Sequence, residues 1–357
     1  MVSLRWPLSV SAIAALGIAA APAPAAILVS NTAGNNIVEF DEVTGAFLGE
    51  FIAPFEGFTS PDTLIYGPDG KLYISGGTTP ETSAVYRFNP RTGKLAGKFA
   101  SGGGLLRPYG IAFGPDGNLY VSSFLTDQIL RYDGETGDFI DVFAAGDGVT
   151  PTGLNGPNGL LFGPDGKLYV TTQGSVAVNG VPDFSFGFPS QVLRYDLSTG
   201  VGEVYVPQPE PFPGSFGFVS FLGLALGPED GDLYVSDFAN GLRRYDFETG
   251  TELQVYDTNY TGTDPSNNFI GSLAFGADNQ SLISVGFDFT QSNVGTLFKF
   301  DVATGDRTLL AANVPQLNRP IGLVLRPEPT SVPEPMTTSA LLALGLAGWV
   351  GSRRRDG

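Results

Sequence analysis

The chain contains no cysteine and no histidine. Disulfides, thiolate nucleophiles, Cys/His zinc sites, imidazole bases and Ser-His-Asp triads are therefore outside its chemistry. Carboxylates, amides, guanidinium groups and aromatic rings remain. Glycoside hydrolysis by a carboxylate pair stays open from one sequence, but no Asp or Glu pair stands out for it. Two arginines sit in the same local setting, Arg107-Pro108 and Arg319-Pro320, each opening a short apolar run. Two guanidinium groups in an acidic chain could hold an anionic sugar or a carboxylate, and each could equally pair with a nearby Asp for structure alone. Tyr109 and Asn158 open corresponding runs.

Aromatic residues are concentrated in the long, irregular segments. Ser175 to Ser190 carries Phe184, Phe186 and Phe188, and Pro207 to Ser220 carries Phe212, Phe216 and Phe218. Asp257 to Phe269 adds Tyr260 and Phe269, and Phe287 and Phe289 are expected in a further loop. Interleaved with Asn, Ser and Asp, such rings suit either sugars, which stack on π faces and offer hydroxyls, or a protein partner. Phe186 and Phe216 are the ligand-contact candidates of this set. The alternative is a lid packed for stability alone. The net charge is −17, which repels phosphate backbones and sets nucleic acid aside as a partner.

The elements that must position these residues repeat. One cassette recurs: an apolar strand, Gly-Pro-Asp-Gly, Leu-Tyr-Val-Ser, a variable stretch, Leu-Arg-Tyr-Asp, then Thr-Gly and another strand. Its clearest copy runs from Gly110 to Ser122 and continues through Ile129 to Gly137. Thr-Gly pairs begin at Thr44, Thr92, Thr136, Thr199, Thr249 and Thr304, which counts six units. Pro, Asp and Gly in the two short motifs fit tight turns, and each unit holds four strand-like runs. Four antiparallel strands per unit of this length predict a β-propeller, whereas β-solenoid coils are shorter and lack such hairpins. The first unit begins at a second strand, Ile27 to Ser30, and the array ends with an orphan inner strand after Arg319. The expectation is an all-β, six-bladed propeller of four-stranded antiparallel blades over residues 26–328. The C-terminal strand closes the ring inside the first blade and leaves no unpaired edge. Alternating strand direction then puts the short turns on one face and the long, aromatic-rich segments on the other.

Segments such as Arg107-Pro108-Tyr109-Gly110-Ile111-Ala112-Phe113-Gly114-Pro115-Asp116-Gly117 resemble NHL-type repeats and the wider six-bladed group that includes gluconolactonase and regucalcin. The resemblance spans nearly all of residues 27 to 326. It implies a divalent-metal site at the channel entrance, with Asn158 of Gly156-Pro157-Asn158-Gly159 as one ligand and Asp62 as a stand-in acid. Tyr109 stands where that group would place an Asn, and Leu222 where it would place an Asp. The reading is therefore that no cofactor is required, with Ca²⁺ as the alternative. A streptogramin-lyase-like activity would require histidine.

Both ends read as addresses. Arg5, an apolar stretch from Leu8 to Ala20 and Ala23-Pro24-Ala25 form a signal peptide over residues 1–25, cut after Ala25 by signal peptidase. Residues 329–357 hold Pro333-Glu334-Pro335, an apolar run over 336–351 and Arg353-Arg354-Arg355. This tail resembles the PEP-CTERM signal read by exosortases. That resemblance implies processing near Pro333, Glu334 and Pro335, transient inner-membrane anchoring and delivery to the cell surface or extracellular matrix, in systems that accompany biofilm loci. The expected function is a monomeric, non-enzymatic surface module that binds a glycan or protein through its long-loop face. A metal-dependent, lactonase-like hydrolase and a purely structural matrix component remain as alternatives.

Overall fold

The computed structural model describes residues 25–239 and 241–326. The proposed leader before Ala25, the Pro333-Glu334-Pro335 motif, the apolar run 336–351 and the arginines at 353–355 lie outside the described residues. Among the described residues no helix is long and apolar enough to cross a membrane.

Among the described residues, six four-stranded antiparallel sheets form a ring. The second to sixth blades begin on inner strands Leu64–Tyr66, Pro108–Phe113, Pro157–Phe162, Phe221–Leu226 and Asn268–Phe275. The first blade takes its inner strand from the end of the array. Pro320–Arg326 pairs antiparallel with Ala26–Asn31, in the register Ala26 to Arg326 and Val29 to Leu323. One apolar cluster fills each gap between adjacent blades. The cluster of Val29 and Leu323 with Val285 and Leu297 seals the last blade to the first. The ring therefore has no open sheet edge at its join.

The repeated residues serve this packing. The tyrosines of the second strands, Tyr73, Tyr120, Tyr169 and Tyr234, are buried. Each hydroxyl donates to the aspartate of its own turn, from Tyr120 to Asp116 at 2.9 Å and from Tyr234 to Asp230 at 2.7 Å. Three of the rings pack edge-on against the next blade, as Tyr73 does on Phe113 at 5.1 Å. The Asp-x-x-Thr-Gly segments are side-chain-closed turns, in which Asp133 Oδ1 accepts the N–H groups of Glu135 and Thr136 at 2.9 and 2.8 Å.

The serine or threonine that ends the Leu-Tyr-Val-Ser pattern ties the inner strands together. Ser75 Oγ accepts from Thr63 N–H at 3.1 Å and donates to the Tyr109 carbonyl of the next blade at 2.6 Å. Thr171 Oγ1 accepts from Gly159 N–H at 2.7 Å and donates to the Leu222 carbonyl. Ser122, Ser236 and Ser30 likewise accept from Gly110, Gly223 and Gly322. These contacts need backbones in close approach. A Cβ at Gly322 would overlap the Asp62 carbonyl, and one at Gly110 would overlap that of Asn158.

Two expectations about loops are corrected. Phe287 lies inside the strand Ser281–Asp288, and Phe269 inside Asn268–Phe275. The sixth blade has longer strands, paired from Asn268 opposite Asp288 onward, so ladder bonds extend past the point where the other blades turn away.

Candidate functional site

The inner strands share an irregularity. Their ladders slip between Pro108 and Ile111, Pro157 and Leu160, Phe221 and Leu224, and Ile270 and Leu273. Such a bulge releases a backbone N–H from the ladder, here to the second-strand hydroxyl, and re-aims the preceding side chain. Asp62, Tyr109, Asn158, Leu222 and Ile321 hold this position in their blades, and all five line one cavity at the channel mouth. The cavity has a volume of about 720 Å³ and opens on the long-segment face, where Phe184, Phe188 and Phe218 form its rim.

Arg107 and Arg319 line the same cavity. Both residues adopt left-handed backbone conformations, with φ of 57° and 54°. That geometry costs a non-glycine residue of order 1 kcal/mol or more. It is held by bonds from Arg107 N–H to Ser83 Oγ at 3.1 Å and from Arg319 N–H to the Asn293 carbonyl at 2.9 Å. The Arg107 guanidinium lies over the Tyr109 ring at 5.1 Å, and that of Arg319 over Phe287 at 6.0 Å. Between the two arginines stands Asp62, 5 % exposed. Burial pushes its carboxyl up to about 6, with the charges of Arg107 and Arg319 and a Thr63 hydrogen bond opposing the rise. Desolvation works against the Arg107 charge, but Tyr109 and Asp62 outweigh it and its affinity for the proton rises. Asn158 is 6 % exposed, and its side-chain amide has no hydrogen-bond partner among the described residues.

The aromatic side is built by the insertion in the fourth blade. It folds into a small hairpin, Val176–Val178 paired with Val181–Asp183, around Asn179-Gly180, whose φ values of 52° and 73° suit a two-residue turn. That Asn-Gly pair is the sequence signal for the hairpin, one the insertion's aromatic content overshadows. Asp127, buried and left-handed at φ 50°, anchors its root. One carboxylate oxygen accepts Gly156 N–H at 2.9 Å and the other Ala177 N–H at 2.6 Å. Phe124 packs on Tyr109 at 4.7 Å, and Phe238 stacks on Phe269 at 4.3 Å.

The structure thus brings Arg107, Tyr109, Asn158, Asp62 and Arg319 together. Phe186 and Phe216 stand beside the cavity lining: Phe186 packs on Phe188 at 5.5 Å, and Phe216 on Phe289 at 5.4 Å. Phe184, Phe188, Phe218 and Phe238 line it instead. Phe184, Phe188 and Phe218 belong to segments the sequence marks, whereas Phe238 follows a second strand and carries no separate signal.

The divalent ion that the lactonase resemblance implies would require about six to eight oxygen donors. The mouth ring offers Asp62 and Asn158 on alternate blades with Tyr109 between them, apolar Leu222 and Ile321 elsewhere, and two cationic neighbours. Among the described residues no group of three or more Asp or Glu side chains could hold a metal. This donor set does not fit a hard-cation cage.

No protein-family model matches the sequence, and no curated protein does. Among solved structures, a chain in the crystal structure of a nidogen/laminin complex is similar at a TM-score of 0.58 and 12 % identity, covering 85 % of this chain and 98 % of that one. A protein of unknown function from Bacteroides caccae is similar at 0.57 and 14 %, covering 85 % of this chain and 100 % of that one. At these identities the likeness is one of fold, and that fold is the six-bladed β-propeller.

Proposed function

We propose that this propeller is a binding module without catalytic activity, exported to the cell surface or matrix, which takes a glycan or protein ligand at the mouth of its channel. One observation carries the reading. The Asn158 amide, which makes no hydrogen bond among the described residues, and the guanidinium groups of Arg107 and Arg319, which have no carboxylate partner there, converge on a single cavity beneath an aromatic rim. A few polar groups that converge on a largely aromatic cavity and keep hydrogen-bonding capacity unused by the protein are what a ligand site requires. The location of the cavity on the long-segment face of a rigid ring supports the same reading. The structure of a nidogen/laminin complex, in which a similar chain occurs, is a precedent for this fold within a complex.

The test uses the full chain on a glycan array and as bait against cell-surface extract, beside Asn158→Ala and Phe188→Ser. Ligand capture by the parent and its loss in both variants is expected. Capture that survives both substitutions would move the binding elsewhere. Lactone turnover dependent on Ca²⁺ and abolished in Asn158→Ala would overturn the non-enzymatic assignment.

A further inference from the structure

Five other arginines on the blades are matched by carboxylates. Arg131 pairs with Asp141 at 2.5 Å, Arg194 with Glu203 at 2.5 Å, Arg244 with Asp232 at 2.7 Å and Arg326 with Glu39 at 2.6 Å. The buried Arg243 is held by both Asp237 and Glu252, at 3.0 and 2.6 Å. Arg107 and Arg319 each lie over a ring and make no ion pair among the described residues; Arg87, over Phe99 at 5.1 Å, shares that setting, but it does not line the cavity as they do. Asp62 senses both as charges, so they flank it from the adjacent blades on either side. With Asp62 ionised this part of the mouth has an excess of one positive charge, in a chain whose total is −17. Arg107 shares a hydrogen bond with Tyr109, and its other N–H donors and those of Arg319 have no carboxylate partner; a planar guanidinium fork of this kind can grip a carboxylate by two parallel bonds.

The opposite side of the cavity is apolar and aromatic, with Phe184, Phe188 and Phe218. Between the two sides lie Asn158 and Gln173 of the fourth blade, amides that match sugar hydroxyls better than one compact anion. A cavity of about 720 Å³ is also much larger than a simple carboxylate requires.

Building on the binding-module reading, we propose that the occupant is an acidic saccharide. Its uronate carboxylate lies against Arg107 and Arg319, its hydroxyls meet Asn158 and Gln173, and a pyranose face rests on the rim phenylalanines.

The experiment is isothermal titration of the full chain with trigalacturonate and with its methyl-esterified, uncharged counterpart. The acid is expected to bind at least about tenfold more tightly than the ester, the discrimination of a charge-assisted hydrogen bond. Arg107→Gln and Arg319→Gln should each remove roughly that factor for the acid and leave the ester unchanged. Circular dichroism and the melting temperature check that both variants fold. Equal binding of acid and ester would overturn the uronate assignment, and sensitivity of both to Asn158→Ala would then keep the cavity as a binding site. No binding of either probe would also overturn it, while ligand capture in the array and bait experiment would decide the broader reading separately.

Discussion

Thr171→Val isolates the hydroxyl that joins two blades beneath the cavity. Thr171 is fully buried, and valine matches its shape, so the substitution opens no space. It removes the acceptor for Gly159 N–H and the donor to the Leu222 carbonyl together. Each group stranded without water costs about 1 to 3 kcal/mol, which gives about 2 to 6 kcal/mol for the pair. A domain of this size loses roughly 2 °C of melting temperature for each kcal/mol, so thermal unfolding should fall by about 4 to 12 °C. Thr171→Ser keeps the hydroxyl that Ser75, Ser122 and Ser236 provide at the equivalent point and loses only one methyl, about 1 kcal/mol. Differential scanning calorimetry on the three proteins reads both effects. Thr171→Val melting within about 1 °C of the parent, or Thr171→Ser melting lower than Thr171→Val, would refute the bridging role.

Asp62 should make stability depend on pH. Its folded value of about 6 lies above the ordinary 3.8, so the folded chain binds the extra proton. Its stabilising effect is complete below about 3.8 and is lost as pH rises through 6, with Arg107, Arg319 and Thr63 limiting the loss. Asp62→Asn, a neutral isostere, should therefore gain up to about 3 kcal/mol relative to the parent between pH 4 and pH 7.5. Parallel melts that show no such divergence would mean the carboxyl is solvated. Asp127→Ala should release the 176–183 hairpin, seen as new proteolytic cleavage near Asn179 and Gly180 before any global unfolding; protection equal to the parent would assign the anchor to other contacts. A chain ending at residue 318 lacks the inner strand of the first blade and exposes the edge at Ala26–Asn31. It should be recovered as aggregate, and a folded monomer from that truncation would deny the closure its structural role.

The ring was legible because its signals are local and repeated. Thr-Gly pairs count turns, Gly-Pro-Asp-Gly marks the first hairpin, and the orphan strand after Arg319 has one vacancy to fill. The mouth residues Arg107, Tyr109, Asn158, Asp62 and Arg319 were legible through their place before an inner strand. The Asp127 anchor was not, because its partners Gly156 and Ala177 are 29 and 50 residues away. Alternation could not separate loop from strand at Phe269 and Phe287, where tertiary pairing lengthens the ladder. Phe186 and Phe216 were chosen over their neighbours by composition, but orientation within a long segment depends on contacts that composition does not encode.

The pairing of Ala26 with Arg326 also fixes how the molecule is presented. Inner strands run from the cavity mouth down to the repetitive turns, and second strands run back up. The described chain therefore starts and finishes side by side at the lower rim, next to the 276–279 turn, where the Glu42 carboxylate accepts Ala277 N–H at 2.8 Å. Anything joined to either end pulls on the underside of the wheel. A protein tethered in this way would hold the cavity mouth pointing away from its support and open to whatever lies beyond.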